Sequence, residues 1–137
     1  MNLALFSEVS PIILIHFLFA LLAIVVGAIQ LALKKGTVVH KTFGYVWVLA
    51  MAVICLSSFQ IKTVMPSGIF WGFSPIHLLS IWVLFQLTRG IYFARKQNIA
   101  RHRQCMLYTY VGGLMIAGAF TLMPGRLLFK VFIAPWL

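Results

Sequence analysis

The chain has 137 residues, enough for one domain and not two. It is 63% apolar and 9% charged, with a mean hydropathy of +1.05, which excludes an ordinary water-soluble core and makes its long apolar runs read as membrane spans. Against 11 Lys and Arg stands one acid, Glu8, for a net charge of +10. That balance would suggest nucleic acid in a soluble chain, but here it marks cytoplasmic loops, and no nucleic-acid partner is expected.

Taken in order, the sequence predicts an all-α integral membrane four-helix bundle forming one domain over 1–137. The first span covers about 11–33, with Ser10 as N-cap and Pro11 in the first turn. No Lys or Arg precedes it and no small-residue cleavage site follows, so it is expected to remain as a helix of the mature protein. "KKGTVVHK" makes a turn around Gly36, and the second span covers about 40–64. "MPSGIFWGFSP" is a Gly-, Pro- and aromatic-rich connection suited to a membrane interface. The third span covers about 75–94, the basic loop "RKQNIARHR" follows, and the fourth covers about 101–123 until "PGR" stops it. The tail, 124–137, is too short to cross and is expected to lie in the interface with Trp136 among headgroups. Cys55 and Cys105 are expected to be free, packed side chains.

Charge orients the bundle. Lys34, Lys35, Lys41, Arg89, Arg95, Lys96, Arg101 and Arg103 fall on one side; Lys62, Arg126, Lys130 and Glu8 fall on the other. The basic side is predicted to be cytoplasmic, with both termini outside, in a cell inner membrane.

The four histidines fall one to a span: His16, His40, His77 and His102. His16 is about 8 Å down the first span, and His77 lies near the start of the third, so both belong to the outer leaflet. His40 and His102 occupy the first turns of spans that start inside. Two pairs result, His16 with His77 and His40 with His102, at levels roughly 20–25 Å apart. Facing imidazoles in a helix bundle suit the axial positions of a haem iron, so two b-type haems are predicted. Gly27 and Gly113 each follow a histidine by eleven residues, about three turns, and are placed on the other pair's level. Gly44 follows His40 by one turn and would relieve crowding. Arg101 and Arg103 inside, and Arg126 outside, are candidate partners for haem carboxylates.

One histidine per span at two levels resembles the core of cytochrome b561-type transmembrane di-haem proteins, which implies electron transfer across the bilayer. More closely, "HKTFGYVWV", "SPIHLLS" and "RHRQCMLYTYVGGLMIAGAFTLMPGR" resemble the bacterial membrane-protein family known as domain-of-unknown-function family 2306. That resemblance covers most of 12–130 and implies a membrane fold without assigning an activity.

The expected function is a di-haem cytochrome acting as a haem-dependent transmembrane oxidoreductase, its donor and acceptor open, with a quinone among the candidates. A single haem or another metal, such as copper, at one pair is an alternative. So is a non-redox membrane subunit or assembly protein whose histidines serve structure, and an oligomer is possible in either case. With no Asp and one Glu, a carboxylate pair for acid–base chemistry is excluded. No nucleophile–His–acid set and no Gly-rich phosphate loop is present. Met51, Met106 and Met115 are expected to pack rather than ligate.

Overall fold

The computed structural model describes residues 9–61 and 75–136. Glu8, Lys62, the 65–74 connection and the expected end of the second span at 64 lie outside the described residues. The described chain is helical, without strands. Helix α1 is Pro11–Ala32, α2 is Val38–Ser58, α3 is Pro75–Arg95 and α4 is Ile99–Tyr108. From α4 the chain runs on without a break through a π-helical stretch, Thr109–Ile116, into α5, Ala117–Thr121. After a turn at Gly125 (φ +88) come a second π-helical stretch, Phe129–Ile133, and a 3-10 turn, Ala134–Trp136.

Local chemistry explains the boundaries. Pro11 opens α1, while the Ser10 hydroxyl makes no capping bond; its carbonyl accepts from Ile13 and Leu14 instead. Lys35 closes α1 by donating its ammonium to the carbonyls of Gln30, Leu31 and Leu33 (3.0, 2.6 and 2.9 Å), the usual place for a cation on a helix. Gly36 takes φ +83, and Thr37 caps α2 by accepting from the His40 N–H at 3.2 Å. Helix α2 ends at Ser58 because Ser57 and Ser58 turn their hydroxyls back to the carbonyls of Ile54 and Cys55. The chain then leaves in a turn, with Gln60 N–H on the Ser57 carbonyl. Between α3 and α4, Gln97 adopts φ 56 and Asn98 caps α4 through the Arg101 N–H at 3.2 Å.

Helices α1, α2 and α3 are each long and apolar enough to cross a membrane. Their outward faces carry Leu18, Leu21, Leu22, Val25, Leu49, Leu56, Leu78 and Phe85, all exposed. A belt of this size is disfavoured in water and matched by lipid. Helix α1 packs on α2, α2 on α3, and α3 on α4; the first π-helical stretch reaches both α1 and α3. The core between them holds Ala23, Val26, Trp47, Ala50, Met51, Cys55, Val83, Leu87 and Leu114. Cys55 and Cys105 are free and buried.

Gly27 governs this packing. A Cβ there would overlap the Tyr110 ring and come 2.7 Å from Trp47 Nε1. Small residues let apolar helices approach closely where lipid offers no hydrophobic drive to associate. At Gly118 an added Cβ meets nothing within 4 Å. Gly27→Ala is therefore expected to lower unfolding stability by about 1–3 kcal/mol through overpacking. Gly118→Ala is expected to be neutral or to stabilise by about 0.5–1 kcal/mol through helix propensity. Denaturant titration of the two variants in one detergent reads the contrast.

Candidate functional site

The four histidines divide between the two ends of the helices. At one end stand His40, in the first turn of α2, and His102, in the first turn of α4. They lie within electrostatic range of each other, with Lys35 nearby. His102 Nδ1 donates to the Gly90 carbonyl of α3 at 2.8 Å. A carbonyl only accepts, so Nδ1 carries the hydrogen, and in the neutral ring Nε2 is the nitrogen with the lone pair. Gln30, one turn from the end of α1, donates its amide to the His40 carbonyl at 2.7 Å and lies 3.4 Å from His40 Nε2. Gly44 makes room for this contact, since a Cβ there would come 3.0 Å from Gln30 Nε2. Two buried polar atoms among the described residues have no hydrogen-bond partner, and both are here: Gln30 Oε1 and His40 Nδ1. Such orphans are costly and point to a group that would satisfy them.

At the other end stand His16 and His77. His16 Nδ1 lies 2.8 Å from Ser57 Oγ. The Ser57 hydroxyl spends its one hydrogen on the Ile54 carbonyl at 3.0 Å. With that hydrogen on the carbonyl, the neutral imidazole donates from Nδ1 and Nε2 keeps its lone pair. His77 is buried on α3, its ring stacked on Phe59, the residue that caps α2, at 5.7 Å between centroids. His16 and His77 thus approach the same end of α2 from α1 and α3. Beside them Ser58 and Ser80 share a hydroxyl contact of 2.6 Å between α2 and α3. A cavity of about 40 Å³ opens here, lined by His16, Met51, Cys55, Ser58, Ser80 and Gly113 among others. That is room for one or two waters. A planar macrocycle enters this level only if side chains such as Met51 and Val83 turn aside.

An aromatic layer lies between the two levels. Trp47 Nε1 donates to the Ala23 carbonyl at 3.0 Å, and Tyr110 Oη donates to the next carbonyl, Ile24, at 3.2 Å. The two rings are 6.4 Å apart, and both pack onto Gly27.

The remaining sequence candidates fall as follows. Gly113 packs against Val83 and borders the cavity that His16 lines. Gly27 belongs to the aromatic layer. Arg101 lies over the Phe93 ring of α3, 5.4 Å from its centroid. Arg103 and Arg126 are exposed. Met106 fills the space left by Gly90. Sequence reasoning passed over Ser57, Ser58, Ser80 and the Gly90 carbonyl. The serines carry a readable signal, since a polar side chain inside an apolar span needs a partner within the protein. The backbone carbonyl has none.

A family model described as "Predicted membrane protein (DUF2306)" matches residues 13–135. The chain belongs to the DUF2306 family. The matched DUF2306 region takes in all four histidines, both levels and the aromatic layer between them. No curated protein and no solved structure matches the chain.

The His16–Ser57 bond ties α1 to α2 inside the span. In a double-mutant cycle with His16→Ala and Ser57→Ala, a coupling of about 1 kcal/mol is expected in the unfolding free energy. Additive effects would show that the contact carries no energy of its own.

Proposed function

We propose that this DUF2306 chain is a transmembrane electron carrier built as a four-helix bundle, with the stretch 99–121 as its fourth span. The basic loops face the cytoplasm and both termini face outward. His16 and His77 hold one b-type haem, and His40 and His102 hold the other. The observation that carries the reading is the pairing of histidines from alternate helices at opposite ends of the molecule, each level backed by a hydrogen-bonded imidazole.

The donor set fits two neutral imidazole ligands. A ligating histidine usually donates its other ring nitrogen to a carbonyl or similar acceptor, which fixes its tautomer and orientation. His102 does this with Gly90, and His16 Nδ1 is held at hydrogen-bond distance from the Ser57 hydroxyl. His40 carries a buried ring nitrogen without a partner beside an unpaired amide oxygen of Gln30, a site whose polar capacity is not used up within the chain. Arg103 and Lys41 supply positive charge at the inner end for carboxylates. The b561-type proteins share this pattern of levels, and the analogy is one of pattern alone.

When bound, haem would supply reversible one-electron chemistry. The chain's own part is to orient the imidazoles through Ser57 and the Gly90 carbonyl and to separate the levels by the Trp47–Tyr110 layer. With a single acid in 137 residues, it has no carboxylates for proton relay in the spans.

A second reading rests on the same bonds. The contacts His16–Ser57 and His102–Gly90 clasp α1 to α2 and α4 to α3, which is a structural duty. One measurement separates the two. Detergent-purified chain from haem-sufficient cells is expected to give a reduced-minus-oxidised b-type spectrum and two haems per chain. His102→Ala is expected to keep one haem and lose the other, and His16→Ala is expected to do so in the complementary sense. A folded chain without haem would leave the structural reading.

A further inference from the structure

The α3–α4 hairpin concentrates cations around two aromatic rings. Arg89 Cζ lies 5.5 Å from the Phe85 centroid and 5.6 Å from that of Phe93. Arg101, from the start of α4, lies 5.4 Å from the same Phe93 ring. Lys96 Nζ lies 5.9 Å from the ring of Tyr92, which meets Phe93 edge-on. Two guanidinium groups therefore share one ring, with a third cation one residue pair away. Like charges gathered in this way repel unless an anion joins them.

None of the described residues is acidic, and the one acid of the sequence is Glu8. Among the described residues Arg89 makes one side-chain hydrogen bond, from Nη1 to Gln86 Oε1 at 3.2 Å, while a guanidinium has five N–H donors. We propose that Arg89 and Arg101, held on the Phe93 ring, bind the phosphate of an anionic phospholipid, with Lys96 at the margin. Arginine suits phosphate because its planar fork donates two parallel bonds.

Depth selects lipid over a water-soluble partner. Arg89 sits six residues before the end of α3, about 9 Å into the span by helix rise. Phe85 and Tyr92 on either side are 58% and 56% exposed, as on a lipid-facing flank. An acidic protein in water does not reach that depth, whereas a headgroup phosphate meets a snorkelling guanidinium there. The site adjoins the His102–Gly90 contact but uses neither of those groups, and its assignment holds whether or not haem binds. It directs Arg101 to a lipid phosphate rather than to a cofactor carboxylate.

The test uses the full chain in detergent, offered phosphatidylglycerol and phosphatidylcholine, with retained lipid counted by native mass spectrometry. Wild-type protein is expected to keep phosphatidylglycerol in preference. Arg89→Gln with Arg101→Gln is expected to lower that retention about tenfold or more, from the usual gain per basic residue near anionic lipid. Lys34→Gln with Lys130→Gln removes the same charge from exposed positions outside the α3–α4 hairpin and is expected to leave retention unchanged. Arg89→Lys with Arg101→Lys keeps the charge without the fork and is expected to retain more lipid than the Arg→Gln pair but less than wild type, which separates loss of the site from loss of the fold. Equal losses in the Arg→Gln and Lys→Gln pairs, equal losses in the Arg→Lys and Arg→Gln pairs, or no preference between lipids would overturn the proposal. Displacement by millimolar inorganic phosphate would reassign the site to the free ion and overturn the lipid reading.

Discussion

A polar group inside an apolar span has no water to turn to, and most of the architecture follows from how these groups are answered. His16 finds Ser57, Ser58 finds Ser80, His102 finds the Gly90 carbonyl, and the Trp47 and Tyr110 donors find successive carbonyls of α1. Each of these bonds crosses from one helix to another. Since lipid tails are as apolar as leucine, burial alone gives helices little reason to associate. Hydrogen bonds and close contact at small residues must do it, and here the two coincide. Gly27 lets the aromatic rings come near enough for their donors to reach Ala23 and Ile24.

Membrane character was plain in the sequence because it is additive: a run of apolar residues is long enough to cross or it is not. Helices α1 and α3 begin and end within a residue or two of expectation. Helix α2 stops short of 64 because Ser57 and Ser58 bond back to their own helix, a local competition that hydropathy does not register. The π-helical stretch at 109–116 was equally invisible. Nothing in "TYVGGLMI" distinguishes a widened turn from an ordinary one, and the stretch packs against both α1 and α3.

The candidate site was legible in the same uneven way. Histidines are scarce and chemically loud, so their levels followed from helix rise and the direction of each span. Partners were harder. The orphaned atoms of Gln30 and His40 emerge only when α1 and α2 are laid side by side, because they are defined by what fails to reach them. Glycine spacing placed Gly113 on the level that His16 lines, but it did not anticipate that side chains of the protein itself, Val83 at Gly113 and Trp47 with Tyr110 at Gly27, press into those positions.

The π-helical stretch has a bearing on how this chain tolerates changes of length. A π-helical turn can be regarded as an α-helix that has absorbed an extra residue. Removing one residue between Thr109 and Ile116 would return that turn to α geometry and rotate everything downstream by about 100° relative to what precedes it. Tyr110 would stay on α1, while Ala117 and Phe120 would both turn away from their present faces. The fourth helical segment is thus divided into two independently phased halves, one keyed to the aromatic layer and the other to the His16 cavity, and the stretch between them sets the angle at which they meet.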